Sequence, residues 1–100
     1  MRLRQVALAS GRLDALTAEF SAVLGLKVGY RDPGVAHYGL RNAVMPAGTG
    51  FIEVVEPERD DASVKRFLKR RGGDAGYMVI LQVADAEAVR IALPAAAGRD

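Results

Sequence analysis

The chain is predicted to be an α+β domain: a cupped mixed sheet with its helices on the outside. Three observations predict it. Apolar residues alternate with period two in five stretches and recur at helical spacing in three others, in the order strand, helix, three strands, helix, strand, helix. The strand–helix opening at Leu3 to Leu24 recurs at Tyr77 to Leu93, an internal repeat cut short, because three strands to match residues 26–56 do not follow. Half of the 100 residues are apolar, enough for a packed core in one domain.

Composition narrows the chemistry. There is no cysteine, which removes disulfides, thiolate zinc sites and cysteine nucleophiles. A formal charge of +2 is too small to imply nucleic acid or a membrane surface. No apolar run reaches the roughly 18 residues of a spanning helix, and Met1-Arg2-Leu3-Arg4 leads directly into a strand pattern, not into the apolar core of a signal peptide. A cytoplasmic location is the expectation.

The elements follow in order. Leu3 to Ala9 alternates as a strand, with Leu3, Gln5, Ala7 and Ala9 on one face. Ser10 stands where a helix N-cap belongs. Leu13, Leu16, Phe20, Val23 and Leu24 then make one stripe of a helix over 11–24, stopped by Gly25. Leu26, Val28 and Tyr30 suggest a short strand, and Arg31-Asp32-Pro33-Gly34 a turn. Val35 to Arg41 reads as extended or loop-like. Asn42 to Pro46 and Phe51 to Glu56 form a hairpin around Ala47-Gly48-Thr49-Gly50. Asp60 or Asp61 caps a second helix whose narrow stripe is Val64, Phe67 and Leu68, ended by Gly72-Gly73. Its basic run, Lys65 to Arg71, lacks interleaved aromatics or a second basic element and reads as a solvated face. Tyr77 to Val83 is a strand, Asp85 caps a last helix through Leu93, and Ala95 to Asp100 has no periodicity.

Glu53 is the first candidate for function. It interrupts the apolar strand Phe51-Ile52-Glu53-Val54-Val55-Glu56, and a carboxylate there is costly to bury without a partner. A general base and a structural ion pair with Arg41 or Arg4 are both open. By strand parity Gln5, Glu53, Met78 and Gln82 share one face, opposite the helices, and are expected to converge in one concavity. His37, the single histidine, can serve as acid or base near neutral pH. Tyr38 and Asn42 are candidate ligand contacts at the rim.

Four stretches carry a resemblance: Leu3-Arg4-Gln5-Val6-Ala7-Leu8, Val23-Leu24-Gly25-Leu26, Phe51 to Pro57, and Gly76 to Asp85. In this order and spacing the chain resembles the vicinal-oxygen-chelate superfamily of glyoxalases, bleomycin-resistance proteins and extradiol dioxygenases. The run His37 to Pro57 looks most like its glyoxalase-like subgroup. The resemblance implies a first βαβββ module over 1–57, a linking helix over 58–75 and an incomplete βα second module over 76–94, all in one domain. It places Glu53 at a metal-ligand position, and it places Gln5 and Met78 where relatives carry histidines. With those histidines replaced, no cofactor is expected. The lesser alternative is a divalent metal (Mn, Zn, Ni, Fe or Mg) held by Glu53 with Gln5 as an oxygen donor, Met78 being too soft for the hard ions.

Two functions follow from the resemblance. One is a glyoxalase-like lyase, isomerase or dioxygenase relative acting on a small carbonyl or aromatic substrate, with Glu53 as base or ligand and His37 assisting. The other is a metal-free binding module of the resistance type, or an inactive truncated member. The apolar last strand has an open edge, so a homodimer completing the sheet is expected.

Overall fold

A computed structural model describes residues 2–83. Strand β1 (Arg2–Ala9) leads to helix α1 (Leu13–Leu24), a 3-10 helix (Pro33–Tyr38), strands β2 (Leu40–Ala47) and β3 (Gly50–Pro57), helix α2 (Ser63–Arg71) and strand β4 (Ala75–Gln82). The four strands form one sheet in the order β2-β3-β1-β4. β1 runs parallel to β3 and antiparallel to β4, and the β2–β3 hairpin is antiparallel. This is the predicted α+β class. The last predicted helix and the tail lie outside the described residues.

Each face of the sheet has its own core. Leu13, Ala43, Met45 and Val54 are fully buried and pack with Leu16, Phe20, Leu26 and Ile52, so α1 covers the face of Ile52 and Val54. On the opposite face α2 covers only one end. There Val64 and Phe67 pack on Ala9 and Val55, and Phe67 meets Tyr77 edge to face at 4.9 Å. The remainder of that face, with Gln5, Phe51 and Glu53, carries no helix among the described residues. The stripe of α1 is shorter than its spacing implies: Val23 is 80% exposed and Leu24 58%.

The start of α1 departs from expectation. The helix begins at Leu13 after Arg12, and no side chain of the cap residue bonds to it. Ser10 remains with the sheet, its N–H donating to the Val55 carbonyl at 2.9 Å, while its hydroxyl accepts from the Arg12 N–H. The first-turn amide of Leu13 is satisfied from a distance, by Glu56 Oε1 at 3.1 Å. That carboxylate also receives Arg41 at 2.7 Å. The Arg41 guanidinium is held above its ordinary range chiefly by this bond to Glu56. The second helix likewise starts after Ala62 without a side-chain cap. Asp61 instead pairs with Arg59, and Asp60 with Lys65. Gly25 and Gly72 end their helices as expected, in the left-handed conformation at φ +70° and +78°.

The strand expected over 26–30 is reduced to one bridge, Tyr30 to Val44. The Gly29 N–H donates to the Val44 carbonyl at 2.9 Å, and the Val44 N–H to the Tyr30 carbonyl at 2.8 Å. Pairing cannot extend one way because Pro46 has no N–H. It stops the other way because the Asp32 N–H turns to the Asn42 side chain. The stretch 33–38, expected as the end of a turn followed by an extended or loop-like run from Val35, instead winds into the 3-10 helix. Asp32 starts it by accepting from the Gly34 N–H, with Pro33 in the first turn.

Candidate functional site

Register builds the site. Across the sheet Glu53 stands beside Ala7 on β1 and Val44 on β2. Gln5 pairs with Phe51 and Asn42 with Val55, so the two amides are diagonal neighbours of Glu53, approaching from opposite ends. Diagonal positions are about 7–8 Å apart, within reach of such side chains. Gln5 Nε2 donates to Glu53 Oε1 at 2.5 Å, and Asn42 Nδ2 donates to Glu53 Oε2 at 2.6 Å. The methyl group of Ala7, opposite the carboxylate, leaves the space this arrangement needs.

The amide of Asn42 is fixed on its other side as well. Its Oδ1 accepts the Asp32 N–H at 2.9 Å, and the residue is 4% exposed. A chain of hydrogen bonds therefore runs from the Asp32 backbone through Asn42 to Glu53 and on to Gln5. Among the described residues no arginine, lysine or histidine forms an ion pair with Glu53. The expected partners are engaged elsewhere: Arg41 binds Glu56 and Asp14, and Arg4 lies over the Phe51 ring at 5.1 Å.

These residues wall an open cleft of about 380 Å³, lined by Arg4, Gln5, Tyr30, Asp32, Asn42, Val44, Phe51 and Glu53. Gln5, Asn42 and Glu53 are thus brought together, although Asn42 lies buried in the wall and not at a rim. Met78 and Gln82 are not brought in. Met78 is opposite Ala7, with β1 between it and Glu53, and it is half exposed; Gln82 pairs with Arg2 at the far end. His37 and Tyr38 lie on the 3-10 helix, exposed, ring edge to face with each other at 5.1 Å and outside the cleft lining. Sequence reasoning missed Arg4, Tyr30, Asp32, Val44 and Phe51. The parity shared with Glu53 could have found Phe51; Tyr30 and Asp32 reach the cleft only through the Val44 bridge and the Asn42 amide.

The donor set does not fit a divalent cation as arranged. Both oxygens of the one carboxylate accept amide N–H groups, and the Gln5 atom facing Glu53 is nitrogen, contrary to its expected role as an oxygen donor. Among the described residues no three His, Cys, Asp or Glu side chains could share an ion. The arrangement presents a fixed anionic acceptor beside a guanidinium and two aromatic rings.

Comparison with known proteins places the fold. No protein-family model matches the chain, and no curated protein is significantly similar to it in sequence. Solved structures do match. A methylmalonyl-CoA epimerase in complex with methylmalonyl-CoA and NH4+ superposes with a TM-score of 0.77 at 22% identity, over 93% of this chain and 67% of that one. The methylmalonyl-CoA epimerase from Mycobacterium tuberculosis gives 0.77 at 22% identity, over 93% and 62%. A hypothetical protein from Bacillus halodurans gives 0.81 at 18% identity, over 93% and 66%. The chain therefore shares the fold of these structures, as the glyoxalase-like expectation required, and it spans about two thirds of their length.

Proposed function

We propose that this protein binds a small carbonyl-bearing or aromatic molecule in the Glu53 cleft without recruiting a metal to that carboxylate. The observation that carries the reading is the Gln5–Glu53–Asn42 arrangement, in which amide donors hold both carboxylate oxygens in place on the cleft wall. Each oxygen retains lone-pair capacity for a ligand hydroxyl or N–H. Arg4 offers a cation to a ligand carbonyl or carboxylate, while Phe51, Tyr30 and Val44 supply apolar contact for an acyl chain or ring.

The test is NMR titration of the labelled full chain with small 2-oxo acids, aryl carboxylates and short acyl thioesters. Expected are shifts at the Gln5 and Asn42 side-chain amides and at Arg4 and Phe51. Glu53→Gln is expected to weaken binding at least about tenfold, or roughly 1.4 kcal/mol. A cleft unperturbed by every class at about 1 mM, the weak end of specific binding, would overturn the reading.

The fold likeness to methylmalonyl-CoA epimerases supports a second reading, an isomerase of an acyl thioester. Glu53 would take the proton from the carbon beside the carbonyl, leaving the C–H electron pair in an enolate beside Arg4; water entering the open cleft would protonate the opposite face, and Glu53 would release its proton to solvent. Exchange of that hydrogen with D2O on methylmalonyl-CoA, lost in Glu53→Gln, separates this from binding alone. We also propose that two copies associate along β4. Its outer edge has no partner among the described residues, and it carries Met78, Val79 and Leu81 exposed.

A further inference from the structure

We propose that Asn42, locked by the Asp32 N–H, sets the hydrogen-bond polarity of the cleft, so that Glu53 is offered to a donor group on a ligand and withheld from a divalent cation. The inference rests on the ligand-binding reading above and adds the residue that decides what Glu53 can receive.

The lock is geometric. Asn42 accepts through Oδ1 from Asp32 N at 2.9 Å and donates through Nδ2 to Glu53 Oε2 at 2.6 Å. Exchanging the two ends of the amide would set its oxygen against a carboxylate oxygen and its NH2 against an N–H. Both bonds would then be lost at a side chain 4% exposed, where water cannot replace them. The loop that supplies the Asp32 N–H is itself held. The Asp32 carboxylate accepts from Gly34 N at 2.8 Å, Tyr30 is bridged to Val44, and Arg31 Nη1 reaches the Asn42 carbonyl at 3.4 Å. Gln5 has no such second anchor among the described residues, where its amide bonds Glu53 alone.

The consequence is electrostatic. A hard divalent cation needs several negative oxygens around it. At Glu53 the amide hydrogen of Asn42 occupies one oxygen and points its partial positive charge at the place a cation would take. Asn42→Asp would keep the acceptor for the Asp32 N–H and replace the donor with a second carboxylate oxygen facing Glu53. Two carboxylates at that separation repel unless a cation lies between them.

The test uses the full chain, isotopically labelled, with Mn²⁺ alone as a paramagnetic probe. Wild type is expected to show no selective broadening around Gln5 and Glu53. Asn42→Asp is expected to show it with a midpoint at least about tenfold lower than any seen for wild type. Adding Glu53→Gln to that variant should remove the gain. Wild-type broadening at the same midpoint, or an Asn42→Asp variant with no gain, overturns the proposal. Should Asn42→Asp fail to fold, wild type still decides: Asn42 side-chain hydrogens must exchange at least about tenfold more slowly than those of Gln5, and equal rates overturn the lock. Neither readout contains an organic ligand. A failed ligand titration therefore removes the ligand reading but leaves the Asn42 lock against a cation to be decided by these readouts, and Mn²⁺ binding by wild type overturns that lock even where organic ligands bind.

Discussion

Glu53 is held by two amides that differ in burial and in the number of partners, and that difference predicts their energetics. Asn42 is buried and bonds both Glu53 and the Asp32 backbone, whereas Gln5 is half-buried and, among the described residues, bonds Glu53 only. Asn42→Ala strands two groups and is expected to cost about 1–3 kcal/mol. Gln5→Ala leaves one oxygen of Glu53 to water and should cost less, about 0.5–1.5 kcal/mol. Urea unfolding of both variants checks the order; equal losses would mean that the Asp32 bond contributes nothing. Glycine at position 50 is a second residue-scale constraint. A Cβ there would stand 2.8 Å from the Arg4 carbonyl, a backbone atom that cannot swing aside. Gly50→Ala is therefore expected to push β3 from β1 and cost about 1–3 kcal/mol by overpacking, and thermal denaturation would reveal it.

At the scale of elements, Glu56 links three of them. From β3 it accepts the first-turn amide of α1 at Leu13 and the guanidinium of Arg41 on β2. Glu56→Ala removes a helix cap and an ion pair together, and a loss of about 1–2 kcal/mol is expected. Arg41→Ala, which leaves the cap in place, should cost under about 1 kcal/mol because the guanidinium is 41% exposed. Chemical denaturation of the pair would show whether the cap or the ion pair dominates. The same interaction marks the limit of what the sequence discloses. Period-two and helical spacing located both described helices, the hairpin and β4, and glycine placed the helix ends, because those signals are local. The cap from Glu56, the bridge that replaces a strand at 26–30 and the burial of Asn42 depend on partners 10 or more residues away and on register. Within the site, strand parity put Gln5 beside Glu53, yet it gave Met78 the same face without showing that β1 lies between. The single histidine at 37 and a rim position for Tyr38 make both candidates in the sequence, yet the 3-10 helix places them outside the cleft lining.

At the scale of the molecule, the sheet has two unlike edges, and their difference argues for association through one of them. The β2 edge is blunted: Pro46 has no N–H, and Gly29 and Tyr30 already occupy Val44. The β4 edge has no such protection among the described residues. Between Ala75 and Gln82 it carries no charge and no proline, and Val79 is 62% exposed. Exposed apolar edges of this kind recruit a further strand. An antiparallel pairing of β4 with its copy in a second chain would place apolar residues opposite one another and set no like charges face to face. Val79→Lys would introduce two facing ammonium groups at the centre of that pairing while leaving both cores and the Glu53 cleft untouched. Light scattering is expected to show a dimer for the wild-type chain and a monomer for Val79→Lys, with unchanged circular dichroism. A wild-type monomer across the micromolar range, or a Val79→Lys variant still dimeric, would remove β4 as the interface.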